Sequence, residues 1–539
     1  MSKFFTAAPE KNIVVNALAG TGKTFTIIEG VNRLIAGPTE GIVGSPEQEA
    51  IWKEMEAGST PKSILFLAFN KSIATEIGGL IRDPAKVKTT HGWGFGQLMR
   101  NGKKCQLDEK GLKLVQQLCQ LRGCDNGREL AQLYPDYISA VRNLTSKLKL
   151  NMLATANHLP DDETINRIIM QFGIEVPDRG NDVIREDVRS VLKWDRDVYN
   201  WISFDDMVWL PNVLGVKVDK QDLLVVDERQ DLSAAQQELI MKSGKRIVIV
   251  GDINQAIYGF AGADYEACKN MEQRLLHHGT GSRVFPLTCT RRCSKAVVKE
   301  AQKYVPTIKA MPNARKGRVV RITEAKFKSM LMNEKIHEGD MVVCRVNQPL
   351  VNYAMKCLKF GITARIQGRD LSEEMIRMVK SAEADTVEGL EKALHENLIK
   401  VISRMEKRGN SELAIDAVKD KTDCVLVFCE GATSIKQVID RITEVFDETK
   451  NQGILFSSIH RAKGLEAKNV WFLRDNLCPH PMAKQDWERE QEMNLRYVAI
   501  TRAESQLIYV TGEEKKNEQR LVVDRREVET DTGECDSQA

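Results

Sequence analysis

Residues 17–24 read Ala17-Leu18-Ala19-Gly20-Thr21-Gly22-Lys23-Thr24, directly after the apolar run Ile13-Val14-Val15. A short buried strand, a glycine turn and a helix start in series make a phosphate cradle, with backbone N–H groups and the positive helix end facing the anion. Gly20 and Gly22 allow the turn, Lys23 carries a point charge to the outer phosphates, and Thr24 offers a hydroxyl for Mg²⁺. Ala17 stands where the first glycine of such a loop is usual. Further on, Val225-Val226-Asp227-Glu228 ends an apolar run in two carboxylates. We assign Asp227 to the metal and Glu228 to the proton taken from an attacking water. Gln255 follows a third apolar run, Arg246 to Val250. It either orients that water and senses the terminal phosphate or holds a polar turn.

These groups need elements to position them. The runs Ser63–Ala68, Leu223–Val226 and Arg246–Val250 are apolar enough for strands covered on both faces, as in a parallel α/β sheet. Arg318–Ile322, Met341–Val343, Gly453–Phe456, Val470–Phe472 and Gln506–Val510 repeat the pattern in the second half, which predicts a second sheet. Residues 96–202 and 371–446 read as helical zones that interrupt the two halves. The cluster Phe204-Asp205-Asp206-Met207 reads as structural, a helix start before the carboxylate strand. Beyond Gly512 the chain turns charged and poor in large apolar groups, so 513–539 is expected to be disordered.

The chain has 539 residues, 42% hydrophobic and 28% charged, with a net charge of +3. This is globular composition with room for several cores, and any basic track for nucleic acid must be local. Its 12 cysteines form no Cys-x-x-Cys pair and read as scattered reduced thiols. No apolar stretch is long enough to span a bilayer, and the N-terminus lacks a signal-peptide core, so a cytoplasmic protein without membrane partners is expected.

The motif order resembles the UvrD/Rep/PcrA-type helicases of superfamily 1. Asp227-Glu228-Arg229-Gln230-Asp231 is similar to that family's Asp-Glu-x-Gln-Asp box, and the segment from Gly251 through Tyr258 and Phe260 to Ala263 to its third motif. Leu287-Thr288-Cys289-Thr290-Arg291-Arg292 resembles the fourth, His460 to Glu466 the fifth, and Tyr497 to Ala503 the sixth. The resemblance implies a P-loop NTPase with two RecA-like domains and parallel sheets, each interrupted by a mainly helical insertion. On this reading 1–95 and 203–288 form the first motor domain, 96–202 its insertion, 289–370 and 447–512 the second motor domain, and 371–446 a small insertion.

ATP and Mg²⁺ are then the expected cofactors, held in the cleft by residues 17–24, Arg291 (stacked on the base), Glu466 (at the sugar), and the metal pair Thr24 and Asp227. Lys23, Glu228, Gln255, Arg292 and Arg502 are the implied catalytic set, the two arginines arriving as the cleft closes. The implied DNA-binding residues are Phe69, Asn70, His91, Tyr258, Phe260 and His460. Aromatic platforms of this kind stack bases without reading sequence.

Three departures stand out. Residues 1–16 hold no glutamine of the kind that reads adenine in this family; Ser45-Pro46-Glu47-Gln48 looks like that element but follows the phosphate loop. Arg291 replaces the usual aromatic of the fourth motif, and Ala261 replaces a common arginine. The expected activity is an ATP-dependent DNA helicase or translocase on single-stranded DNA and duplex junctions, with 3′→5′ polarity, serving replication, repair or recombination. The alternatives are a translocase that displaces proteins with little unwinding, or a non-hydrolysing ATP-gated nucleic-acid clamp. No nuclease motif accompanies it.

Overall fold

The structure, a computed structural model, describes residues 10–123, 127, 134–172, 174, 176–177, 183–257, 265–333, 335–407, 412–447 and 452–512. The chain is α/β, built on two six-stranded sheets whose strand pairs all run parallel.

The front sheet contains β1 (Asn12–Ala17), β2 (Ile64–Ala68), β3 (Lys86–Thr89), β4 (Gln221–Val226), β5 (Gly244–Gly251) and β6 (Ser282–Leu287), in the order β3-β2-β4-β5-β1-β6. Every residue of β2 is buried, as a strand covered on both faces requires. Because β4, β5 and β1 are neighbours, their C-terminal ends deliver Asp227, Asp252 and the phosphate loop to one edge. That edge is where open parallel sheets bind ligands.

The rear sheet contains β7 (Arg318–Thr323), β8 (Met341–Cys344), β9 (Ala364–Ile366), β10 (Ile454–Ser458), β11 (Ala467–Leu473) and β12 (Ala503–Thr511), in the order β7-β12-β11-β8-β10-β9. Each apolar run named above falls on a strand. Within the two six-stranded sheets, the strands not anticipated are β3, β6 and β9, and each lies at a sheet edge. One flank of an edge strand has no covering neighbour, so its sequence is short or mixed: Lys86-Val87-Lys88-Thr89 is exposed to half-buried throughout.

Among the described residues, helices Leu112–Arg122, Pro135–Leu150, Asp162–Phe172 and Ile184–Asp197 lie in the first helical zone. They share an apolar core with Leu98, Trp209 and Leu210 of the flanking helices. Inside the zone lies a buried ionic knot. Lys149 Nζ donates to Asp195 at 2.6 Å and Asp206 at 2.7 Å, and Lys113 Nζ sits 2.6 Å from Asp195. Asp206 thus carries the structural part expected of the Phe204–Met207 cluster, opening helix Asp206–Val213. In the second zone, helices Arg369–Ser381, Val387–Lys407, Glu412–Cys429 and Ile435–Val445 pack into the same core as Val342, Phe456 and Trp471 of the rear sheet. No helix among the described residues is long and apolar enough to cross a membrane, and Cys105, Cys289, Cys293, Cys344, Cys357, Cys424, Cys429 and Cys478 are free. The expected tail, 513–539, lies outside the described residues.

Candidate nucleotide and DNA site

The phosphate loop begins inside β1. Ala17 is paired in the sheet and 1% exposed, so a Cβ is accommodated where glycine is usual. Leu18 and Ala19 are buried, and Ala19 N donates to Tyr497 Oη at 3.1 Å. Thr21 Oγ1 donates to Leu18 O at 2.8 Å and ties the loop to itself. Gly20 and Gly22 have φ of 68° and 82°, the left-handed region that glycine enters without a side-chain clash. A Cβ on Gly20 would also lie 2.6 Å from Thr290 Oγ1 and 2.7 Å from Arg292 Cβ, so only glycine lets the fourth-motif segment approach.

Helix α1 (Lys23–Ala36) starts at the loop and aims its first two side chains at the carboxylate pair. Lys23 Nζ lies 3.1 Å from Glu228, and Thr24 Oγ1 donates to Asp227 Oδ2 at 2.5 Å. Burial works against the Lys23 charge, but Glu228, Asp252 and Asp227 together hold its pKa above the ordinary range. Burial also opposes ionisation of Glu228, yet Lys23 and Lys463 pull that carboxyl down to about 2. Asp227 is pushed up to about 6, first by burial and then by the Glu228 charge. Two adjacent carboxylates thus titrate apart, Glu228 held ionised by the two lysines and Asp227 short of positive charge. Glu228 has φ of 51°, a conformation disfavoured for any residue with a Cβ. This strained exit from β4 turns its carboxylate toward Lys23.

Gln255 is buried on the turn after β5. Its Nε2 donates to Asp252 Oδ2 at 2.8 Å, and its Oε1 receives Arg502 Nη2 at 3.5 Å. Arg502 is 1% exposed. Burial, reinforced by the nearby Arg292 charge, lowers its pKa to about 10. Arg292 donates to Thr501 O at 3.3 Å and pairs with Glu466. The structure therefore gives Glu466 to an arginine. Arg291 N donates to Gly20 O at 2.8 Å, and its guanidinium reaches Gln48. Two groups that sequence reasoning did not single out complete the seam. Lys463 Nζ bonds Asp231 at 2.6 and 2.7 Å and Gln255 O at 2.9 Å, and Tyr497 holds the loop backbone. Their only sequence signal was membership of the fifth and sixth motifs.

The residues expected on DNA are more scattered. Phe69, past β2, is 41% exposed. Asn70 caps helix Lys71–Leu80, its Oδ1 accepting from Ile73 N at 2.9 Å, so its amide oxygen is occupied by its own helix. His91 stacks on Phe204, with ring centroids 4.0 Å apart and planes at 24°. Burial pushes His91 down to about 4, so the ring is neutral at physiological pH. Phe204 is 56% exposed, whereas Asp206 of the same cluster is fully buried. His460 is held neutral by burial and by Arg345 and Arg461. Tyr258 and Phe260 lie outside the described residues.

Residues 2–275 match the UvrD/REP helicase N-terminal domain and residues 294–514 the UvrD-like helicase C-terminal domain. The chain belongs to the UvrD/Rep helicase family. Among curated proteins it is 25% identical to F-box DNA helicase protein 1 of Schizosaccharomyces pombe over 547 residues, covering 93% of this chain and 55% of that protein. It is 22% identical to F-box DNA helicase 1 of Gallus gallus, covering 92% and 47% respectively. It is 24% identical to the ATP-dependent DNA helicase PcrA of Staphylococcus epidermidis, covering 58% and 59%. The chain spans about half the length of the curated relatives it matches.

Proposed function

We propose that this chain is an ATP-driven motor that moves 3′→5′ on single-stranded DNA, separates duplexes at junctions and works in the cytoplasm. The observation that carries the reading is the seam itself. Arg502 stands on Gln255, Lys463 on Asp231 and Arg292 against Gly20, all at the mouth of the phosphate loop. A triphosphate lying in that loop has Lys23 at its outer phosphates and Glu228 positioned to take the proton of an in-line water. Gln255 orients that water, and Arg292 and Arg502 face the charge that develops on the transferred phosphoryl group.

The paired oxygens of Thr24 and Asp227 suit a hard cation, and the raised pKa of Asp227 marks a carboxylate lacking positive charge, so Mg²⁺ fits here. When bound, Mg²⁺ neutralises phosphate charge. The two cationic groups Arg502 and Lys463 lie far along the chain from the loop, which supports a motor that couples hydrolysis to movement of its two halves. The motor domains are 1–95 with 203–288, and 289–370 with 447–512. Bases stack on Phe69, Phe204 and the third-motif aromatics Tyr258 and Phe260, and His91 and His460 meet the strand as neutral rings.

The test is ATP hydrolysis with and without 3′-tailed and 5′-tailed DNA. The reading requires stimulation by single strands, unwinding from a 3′ tail, and loss of turnover in Lys23→Ala. Hydrolysis indifferent to every DNA overturns it.

A further inference from the structure

The aromatic platforms Phe69, Phe204, Tyr258 and Phe260 all belong to the front half of the chain. Movement of one half past the other advances a strand only if each half can hold it. Among the described residues of the rear half, the exposed large aromatics are Phe360, 67% exposed, and Trp487, 38% exposed. The rear sheet separates them. Phe360 comes shortly before β9 begins, at the edge where the parallel strands start. Helix Asp486–Thr501 leads from the exit of β11 back to the start of β12. Its N-terminal end, with Trp487, therefore stands at the opposite edge, where β10 ends at Ser458 and the chain runs on to His460. Glu492, about a turn and a half further along the helix, anchors it there. It accepts from Arg345 Nε at 2.8 Å and Nη2 at 2.6 Å, just past the end of β8.

Trp487 also lies on the side of this helix that meets the front half. Trp487, Glu490, Asn494 and Tyr497 fall on one stripe, at helical spacings of three and four. Along it, Tyr497 Oη accepts from Ala19 N at 3.1 Å, and Asn494 Nδ2 donates to Ala256 O at 3.1 Å. Ala256 ends the turn that leads into the third-motif aromatics. Trp487 continues the stripe two turns past Asn494, about 10 Å beyond the last of these contacts.

The indole is held in place. Its Nε1 donates to Gln485 Oε1 at 2.5 Å. Gln485 is itself the N-cap, in a reciprocal capping box with buried Glu488, whose Oε2 accepts from Gln485 N at 3.1 Å and Lys484 N at 3.0 Å. The ring's single donor is thus satisfied by its own helix, and the ring presents an apolar face that is already ordered. The charges around it disfavour phosphate. Asp486 and Glu490 are exposed carboxylates, while Lys484 pairs with Glu412 and Arg489 Nε donates to Ala483 O. A base, rather than the backbone, is the part of a single strand that this surface suits. We propose that Trp487 is a base-stacking site for single-stranded DNA on the rear half, gripping one base by its face without reading sequence. This rests on the reading of the chain as a single-strand motor.

The experiment is fluorescence anisotropy of the full chain with labelled oligo-dT and with an abasic strand of the same length, over a range of salt. Trp487→Ala and Trp487→Leu should each weaken oligo-dT binding by about fivefold or more, the lower end for one stacked base. Trp487→Phe, which keeps an aromatic face, should stay within about threefold of wild type. The slope of log Kd against log salt should not change in any of them, because no phosphate contact is removed. On the abasic strand wild type and Trp487→Ala should bind alike. A melting curve for each variant identifies any that misfolds, and the comparison of Leu with Phe carries the test if Ala does. Oligo-dT binding by Trp487→Ala and Trp487→Leu within about twofold of wild type overturns the proposal and leaves the motor reading standing. An equal loss on the abasic strand also overturns it, since the side chain would then serve the backbone or the fold. A wild-type chain that binds no single strand overturns both.

Discussion

Replacing Arg502 separates a catalytic cation from a structural one. The guanidinium makes four contacts: Nε to Val498 O at 3.0 Å, Nη1 to Leu465 O at 3.1 Å, and Nη2 to Thr501 Oγ1 at 3.3 Å and Gln255 Oε1 at 3.5 Å. Alanine strips the donor from two carbonyls inside the fold. At about 1–3 kcal/mol for each orphaned acceptor, the stability cost is about 2–6 kcal/mol. The catalytic cost is separate. An arginine facing the transferred phosphoryl group contributes about 10³–10⁵ in rate, or about 4–7 kcal/mol at the transition state.

Lysine tells the two apart, because it keeps the charge but cannot span Leu465, Val498 and Gln255 with one ammonium. In single-turnover hydrolysis at saturating ATP and single-stranded DNA, Arg502→Ala is expected to lose about 10³-fold or more in rate. Its affinity for ATP should change by less than about tenfold, and Arg502→Lys should fall between. Burial and Arg292 lower the Arg502 pKa to about 10, so the group is charged at neutral pH and its contribution fades as pH rises toward that value. A folded Arg502→Ala that hydrolyses ATP within about tenfold of wild type refutes the assignment.

The buried ionic knot makes a stability prediction. Asp195→Ala leaves Lys113 and Lys149 to share Asp206 alone, two buried cations on one carboxylate, and should cost about 3–5 kcal/mol in denaturant unfolding. Burial opposes the Asp195 charge, but Lys149 and Lys113 hold its folded pKa below the ordinary carboxylate range. Its contribution is therefore complete above the unfolded pKa of about 4 and is lost as pH falls through the folded value; unfolding curves in acid check this. Phe204→Ala should weaken single-strand binding by about 1–3 kcal/mol, the worth of one stacked base, read by fluorescence anisotropy. The His91 ring should titrate near 4 by NMR and stay neutral at pH 6; a midpoint near 6.5 would show an open, solvated imidazole.

Much of the fold was readable because the central strands are covered on both faces. Nothing but apolar side chains survives at Ile64–Ala68 or Val225–Val226, and such runs declare themselves. Edge strands do not: Lys86-Val87-Lys88-Thr89 looks like a loop until its neighbour pairs with it. The chemistry at the strand exits was legible for a related reason, since a phosphate loop and a carboxylate pair need particular residue types in sequence. What lies between segments was not legible. Lys149 and Asp195 sit on amphipathic helices where charge ordinarily means solvent, yet both are buried against each other. Gln48 was visible as a motif out of place, but only the fold carries it back to the loop and against Arg291.

The claim on which the rest depends is that fuel consumed at this seam moves the protein along a strand. The direct measurement is the amount of ATP hydrolysed per DNA-binding event on single strands of increasing length, under conditions that prevent rebinding. A motor predicts a yield that grows in proportion to length in the wild-type chain and vanishes in Arg502→Ala. A yield that is the same on short and long strands would mean that hydrolysis occurs without travel, and would contradict the account.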